Sequence, residues 1–300
     1  MAMISASQVK ELREMTGVGM MDCKKALEEN QGDLDKAVVW LREKGMARAA
    51  KKSGRTAAEG MVVLAVSPDN KRAALVELNC ETDFSGKNEE FQSFANKLAP
   101  LALASQAQTV EALESAKIND TQTVKDALLE LITKVGENMN LRRLVLVQAD
   151  YVTGYSHMGG KIGTLVHFET KDPTSPKLSE VGADLAMHVA ACTPKYFDAS
   201  QVPTQELEQE KAIARKKLEE EGRPANMIEK ILGGQVTKFY KEVCFVDQAF
   251  VKEPKQSVLQ YVKDSGSEAT LKGFVRFQLG EGIDVKKENF ADEVAAQLNR

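Results

Sequence analysis

Phosphate chemistry on a protein usually needs a glycine-rich loop ahead of a lysine. The candidate here is Gly159-Gly160-Lys161-Ile162. A Walker-type loop requires glycine at position 155 and a hydroxyl residue at 162, where this chain has Tyr155 and Ile162, so a glycine-rich turn between strands is the better reading. Gly280-Glu281-Gly282 lacks the third glycine of a dinucleotide fingerprint and also reads as a turn. His157, His167 and His188 are the only histidines, and none pairs with another at helical zinc spacing. His167 alternates within a strand and His188 lies on an apolar helix, so both read as structural. Cys23, Cys80, Cys192 and Cys244 are scattered without a C-x-x-C pair, the pattern of reduced thiols. No nucleophile elbow and no cysteine with an obvious base is present. These absences accumulate against an enzyme and imply no metal and no cofactor.

Two clusters have the chemistry of recognition instead. Thr82-Asp83-Phe84-Ser85-Gly86 follows directly on an apolar strand. From position alone Phe84 turns inward and caps the core; the competing reading is an exposed aromatic anchor for a partner's pocket. Met20-Met21, beside Asp22 and Lys24, is either core filler or an adaptable apolar contact surface.

The elements that must position these residues follow from periodicity. Ser5 or Ser7 caps a first helix with Val9, Leu12 and Met15 as its stripe. A second helix spans Met20 to Glu29, and a third carries Leu34, Ala37, Val38 and Leu41 and ends at Gly45. Arg48, Lys51, Lys52 and Arg55 then mark a basic, small-residue linker, read as a solvated helical connector. Met61–Val66 and Ala73–Leu78 form a hairpin around Ser67-Pro68-Asp69-Asn70. A helix follows through Phe91, Phe94 and Leu98, with Pro100 expected to kink or divide it, and another spans Val124 to Val135. Strands at Leu141–Val147 and Ile162–Phe168, joined through Gly154 to Gly160, precede a helix from Ser179 to Ala191. Hairpin-then-helices thus occurs twice, which suggests a duplicated α+β unit. Residues 204–243 read as an antiparallel helical hairpin with a narrow apolar seam. A helix at Lys255–Lys263, a strand at Leu271–Leu279 and a closing helix at Glu288–Leu298 complete the chain.

The bulk properties agree. Three hundred residues with 43% hydrophobic and 28% charged side chains can bury a full core. A net charge of -4 argues against a nucleic-acid coat, and 6% aromatics offer no stacking platform for single strands. No apolar run is long enough to span a membrane, and no leader pattern opens the chain, so a cytoplasmic location is expected.

Thr16-Gly17-Val18-Gly19-Met20-Met21-Asp22-Cys23-Lys24-Lys25-Ala26-Leu27 and Asn79-Cys80-Glu81-Thr82-Asp83-Phe84 closely resemble the two signatures of the bacterial elongation factor Ts family. Lys134-Val135-Gly136-Glu137-Asn138, Tyr155-Ser156-His157, Met187-His188-Val189-Ala190-Ala191 and Gly273-Phe274-Val275-Arg276-Phe277 extend the resemblance along the chain. It implies an α+β fold. A ubiquitin-associated-like three-helix head (1–46) and a linker (47–59) precede core subdomains at 60–140 and at 141–203 with 244–280. A helical hairpin (204–243) is inserted, and a C-terminal module (281–300) follows. The implied function is guanine nucleotide exchange on elongation factor Tu, without covalent chemistry, in both GDP-bound and nucleotide-free complexes. Thr82, Asp83, Phe84 and Ser85 would be the edge that displaces Mg²⁺. Met20, Met21, Lys24, Gly136 and His157 would be further partner contacts. No direct contact with nucleic acid or membrane is implied, and a homodimer or 2:2 complex stays open. The runner-up is a non-catalytic adaptor or scaffold using the head and the hairpin. Family members commonly carry valine after the Thr-Asp-Phe; Ser85-Gly86 here should make that edge more flexible and less well packed.

Overall fold

The computed structural model describes residues 4–284. The expected closing helix at Glu288–Leu298, and most of the expected module at 281–300, lie outside the described residues.

Three helices open the chain: α1 (Ala6–Thr16), α2 (Met20–Glu29) and α3 (Leu34–Lys52). Ser5 Oγ accepts from the Gln8 N–H at 3.2 Å and Gln8 Oε1 accepts from the Ser5 N–H at 3.0 Å, a reciprocal cap. Val9, Leu12, Val18, Cys23, Ala26, Leu27, Ala37 and Leu41 close a small core. Met15, expected on the buried stripe, is 57% exposed. The third helix does not stop at Gly45. It continues to Lys52, because Gly45 is a contact and not a terminator: a Cβ there would lie 2.5 Å from Thr133 Oγ1.

Next come β1 (Glu59–Val66), β2 (Arg72–Cys80), α4 (Asp83–Gly86), α5 (Glu89–Ser105), α6 (Val110–Ser115), α7 (Val124–Val135) and β3 (Met139–Gln148). The strands form one antiparallel sheet in the order β1-β2-β3. Pro100 neither ends nor divides α5; Leu98, Ala99 and Ala102 around it are fully buried and hold the helix together. α6 carried no clear periodic signal in the sequence.

The second half repeats the connectivity. β4 (Tyr151–His157), β5 (Ile162–Thr170), α8 (Pro176–Cys192), α9 (Thr204–Glu220), α10 (Ala225–Val243), β6 (Ala249–Phe250), β7 (Glu253–Ser257), α11 (Val258–Asp264) and β8 (Ala269–Gln278) follow. The main sheet has the order β4-β5-β8, again antiparallel throughout. Both middle strands carry a register shift, at Glu77/Leu78 and at His167/Phe168. The second hairpin is therefore β4–β5, not the expected pairing of 141–147 with 162–168. β3 pairs with β2 and belongs to the first sheet, so a division at residue 140 cuts through it. The segment expected to be helical from Lys255 begins as strand β7.

Alternation along the strands builds four layers. Ala74, Val76 and Leu78 of β2 face α5 and α7, while Ala73 and Leu75 face Val152 and Leu165 of the other sheet. Being covered on both sides, β2 is apolar almost throughout. Val166 and Phe168 of β5 face α8, with Leu185 and Val189. The order is helix, sheet, sheet, helix: an α+β protein of antiparallel sheets. α9 and α10 form their own thin core of Leu218, Ile228 and Leu232.

Candidate functional site

The start of β1, the end of β2, the start of β3, the end of β4 and the start of β5 all meet at one end of the stacked sheets. Their pairing fixes this: Glu59 opposes Cys80, Cys80 opposes Met139, and His157 opposes Ile162. The Gly160 carbonyl accepts from the Val62 N–H at 2.7 Å, which seats the β4–β5 turn on β1. Lys161 and Glu59 pair at 2.6 Å across the same junction.

Thr82 turns the chain out of β2. It is extended (φ -123°, ψ 155°), and its hydroxyl accepts from the Ser85 N–H at 3.3 Å, capping α4. Asp83 sits in the first turn and pairs with Lys87 at 2.6 Å. That hydrogen bond holds the Asp83 carboxyl below its ordinary value, so it is ionised at neutral pH. Phe84 projects from the turn and is 81% exposed, more than any other large apolar side chain among the described residues. The inward reading is thereby corrected: the core beneath is already filled by Phe91, Leu78 and Leu98, all fully buried. Ser85 is buried, and a Cβ on Gly86 would stand 3.3 Å from the Gly60 Cα. The small pair lets α4 lie close against β1. Gly60 itself has φ 122°, and a Cβ there would meet the Leu78 carbonyl at 2.2 Å.

Gly136 ends α7 in the left-handed conformation (φ 85°) and delivers Glu137 to the same place. Glu137 accepts from the Thr82 N–H at 3.1 Å and from the Thr82 hydroxyl at 2.7 Å. His157 closes β4 at this end, with its Nδ1 2.9 Å from the Tyr155 hydroxyl. The structure thus brings Thr82–Ser85, Gly136 and His157 to one end of the molecule.

Met20, Met21 and Lys24 stand apart, on α2. Met20 is 46% and Met21 76% exposed, while Cys23, Ala26 and Leu27 of the same helix face inward. The cluster is therefore surface and not filler. Their unit rests on α7: Arg42 pairs with Asp126 at 2.5 Å, and Gly17 lies against the Lys134 side chain.

Met158, in the β4–β5 turn, escaped the sequence reading. It is 72% exposed with φ 50° and flanks His157. The available signal was an apolar residue inside a polar glycine turn.

Among the described residues no three metal-binding side chains cluster. His188 is fully buried: its Nδ1 accepts from the Val251 N–H at 3.1 Å, so its Nε2 donates to Gln248 Oε1 at 3.0 Å. Burial pushes its pKa down, so it is a neutral core histidine. His167 is likewise pushed down by burial. Burial pushes the Cys80 thiol up to about 12, which leaves it inert. No helix among the described residues is long and apolar enough to cross a membrane.

Comparison with known proteins matches residues 81–281 to the family described as elongation factor TS. Over 304 residues the chain is 48% identical to a Clostridium botulinum protein named elongation factor Ts, covering 99% of this chain and all of that one. A Clostridium perfringens protein of the same name is 48% identical over 299 residues, 98% of each chain.

Proposed function

The chain belongs to the elongation factor Ts family, and on that premise we propose that it is the guanine nucleotide exchange factor of elongation factor Tu, acting in the cytoplasm during translation elongation. The observation that carries this reading is Phe84, 81% exposed on a four-residue helix pinned at both ends. A side chain so placed does nothing for this fold; it suits a wedge for another protein's pocket. The partner-facing edge is Thr82, Asp83 and Phe84, with Ser85 buried behind them as its support and Gly136, His157 and Met158 at the same end. Met20, Met21 and Lys24 supply a second contact from the three-helix unit.

Exchange by a wedge needs no reactive group. Mg²⁺ tolerates only near-ideal octahedral oxygen geometry and bridges the nucleotide phosphates to the GTPase. Moving one ligand by about 1 Å weakens the ion, and the uncovered phosphate repulsion favours GDP release. Factor and GDP must weaken each other's binding by one factor, so rebinding of nucleotide expels the exchange factor.

That reciprocity is the test. The affinity of this chain for GDP-bound and for nucleotide-free elongation factor Tu is measured by titration calorimetry at fixed Mg²⁺. The nucleotide-free form should bind about 5- to 150-fold more tightly, the range for a coupling of ~1–3 kcal/mol. Equal affinities would remove the exchange reading and leave the adaptor.

A further inference from the structure

Two glutamates bond reciprocally across the gap between the end of β2 and the start of β3. Glu137 takes both the N–H and the hydroxyl of Thr82, at 3.1 and 2.7 Å. Glu81, next to Thr82, takes the N–H of Asn138, next to Glu137, at 2.6 Å. Asn138 Nδ2 in turn donates to the Arg55 carbonyl at 2.7 Å, and the Arg55 guanidinium lies 3.5 Å from Glu81. Asn138 is 3% exposed, so this lock is anchored in the body of the protein.

The consequence falls on α4. A helix of four residues cannot hold itself, because nucleation is not recovered over so few bonds. Its direction is set by the Thr82 cap at its start, with Ser85 and Gly86 seated on β1 at its end. The Thr82 hydroxyl has one proton, and an ionised carboxylate can only accept. With that proton committed to Glu137, the oxygen's lone pair is left for the Ser85 N–H at 3.3 Å. Phe84 is the second residue of α4 and has no packing of its own to orient it.

The geometry points to Glu137 as the positioning residue of Phe84: its carboxylate fixes the Thr82 hydroxyl, the hydroxyl fixes α4, and α4 aims the ring. This rests on the exchange reading for its consequence in activity, but not for its consequence in the free chain. A glutamine keeps one acceptor oxygen and sets an N–H₂ against either the Thr82 N–H or its hydroxyl, so it only partly replaces the carboxylate.

The test uses the full chain with the substitutions Glu137→Ala, Glu137→Gln, Phe84→Ala and the Glu137/Phe84 double alanine. Release of a fluorescent GDP analogue from elongation factor Tu is followed at saturating exchange factor. Glu137→Ala should slow release about ten-fold, equivalent to ~1.4 kcal/mol, and Glu137→Gln should fall between it and the wild type. In the Phe84→Ala background Glu137→Ala should add less than about two-fold, since residues acting as one unit are not additive. Full additivity would overturn the proposal, because a merely structural glutamate costs the same with or without the ring. Backbone amide exchange in the free chain gives an independent readout. Residues 82–88 should exchange several-fold faster in Glu137→Ala, while α8 is unchanged. Unaltered exchange at 82–88 overturns the positioning role. If the wild-type chain releases no GDP, the function falls, and amide exchange alone still decides the role of Glu137.

Discussion

Replacing Phe84 with alanine should separate function from stability, because the side chain is largely exposed in the free chain. A phenylalanine buries about 150–250 Å² when it enters an apolar site. With 81% of the side chain already exposed in the free protein, roughly 160 Å² is left for a partner to cover. At about 25 cal/mol per Å² that is worth ~4 kcal/mol, of which alanine's own methyl retains a part. The substitution should therefore weaken the complex by about 2–4 kcal/mol, the range of an interface hot spot. Since ~1.4 kcal/mol is ten-fold, the loss in exchange efficiency should lie between about 30- and 700-fold. The same substitution should leave the unfolding free energy within about 0.5 kcal/mol of the wild type, as surface changes do. The assay is paired: stopped-flow release of fluorescent GDP over a range of exchange factor concentrations, and denaturant unfolding of the free chain. An unchanged release rate with unchanged stability would refute the wedge. A loss of stability of several kcal/mol would refute the exposure on which it rests.

Further outcomes follow from the same structure. Glu77 is wholly buried between Arg142, at 3.0 Å, and Arg143, at 2.5 Å, with the Gly280 N–H at 2.9 Å. Glu77→Gln should cost about 1–3 kcal/mol in urea unfolding, the worth of charge-assisted hydrogen bonds to arginines that keep some solvent and other acceptors. Burial raises the Glu77 pKa, but the Gly280 N–H and the two arginines outweigh it and the net direction is down. Its stabilisation is thus complete above the ordinary glutamate range and lost as pH falls through the lowered value, so Glu77→Gln should flatten the acid limb of stability against pH. Gly60→Ala forces a Cβ to 2.2 Å from the Leu78 carbonyl at φ 122° and should destabilise by more than about 2 kcal/mol, measured by thermal unfolding. Cys80, pushed up to about 12, and the buried Cys23 and Cys244 should resist iodoacetamide at pH 8 in the native chain and react fully in denaturant, read by mass spectrometry.

Elements with strong terminal signals were legible from the residues. α2 and α7 lie where the spacing put them, the latter because Thr123 and Asp126 cap it reciprocally. Two of the errors share one cause, which is glycine serving two purposes. Gly45 reads as a stop and Gly154 as a loop, yet each marks a close approach. A Cβ on Gly154 would stand 2.8 Å from Leu64 Cδ1, and one on Gly163 would stand 2.7 Å from Val62 Cγ1. These glycines let the two sheets touch, and nothing local distinguishes such a residue from a turn. For that reason the sequence reads Gly154 to Gly160 as a connection, where the structure has the strand Tyr151–His157 paired with β5. The site was half legible. The types of Thr82, Asp83 and Phe84 announced recognition, but the outward aim of Phe84 depends on Phe91 and Leu98 already filling the core, a tertiary fact. Glu137 meets Thr82 across 55 residues and left no local trace.

The central claim is that this chain speeds the loss of GDP from elongation factor Tu. The most direct measurement loads that GTPase with a fluorescent GDP analogue and chases with excess unlabelled GDP at fixed Mg²⁺, with and without the chain. The release rate constant should rise with the concentration of the chain, reach a plateau, and remain elevated however often the chain turns over at substoichiometric amounts. A complex that forms by size-exclusion chromatography while release proceeds at its unassisted rate would contradict the account.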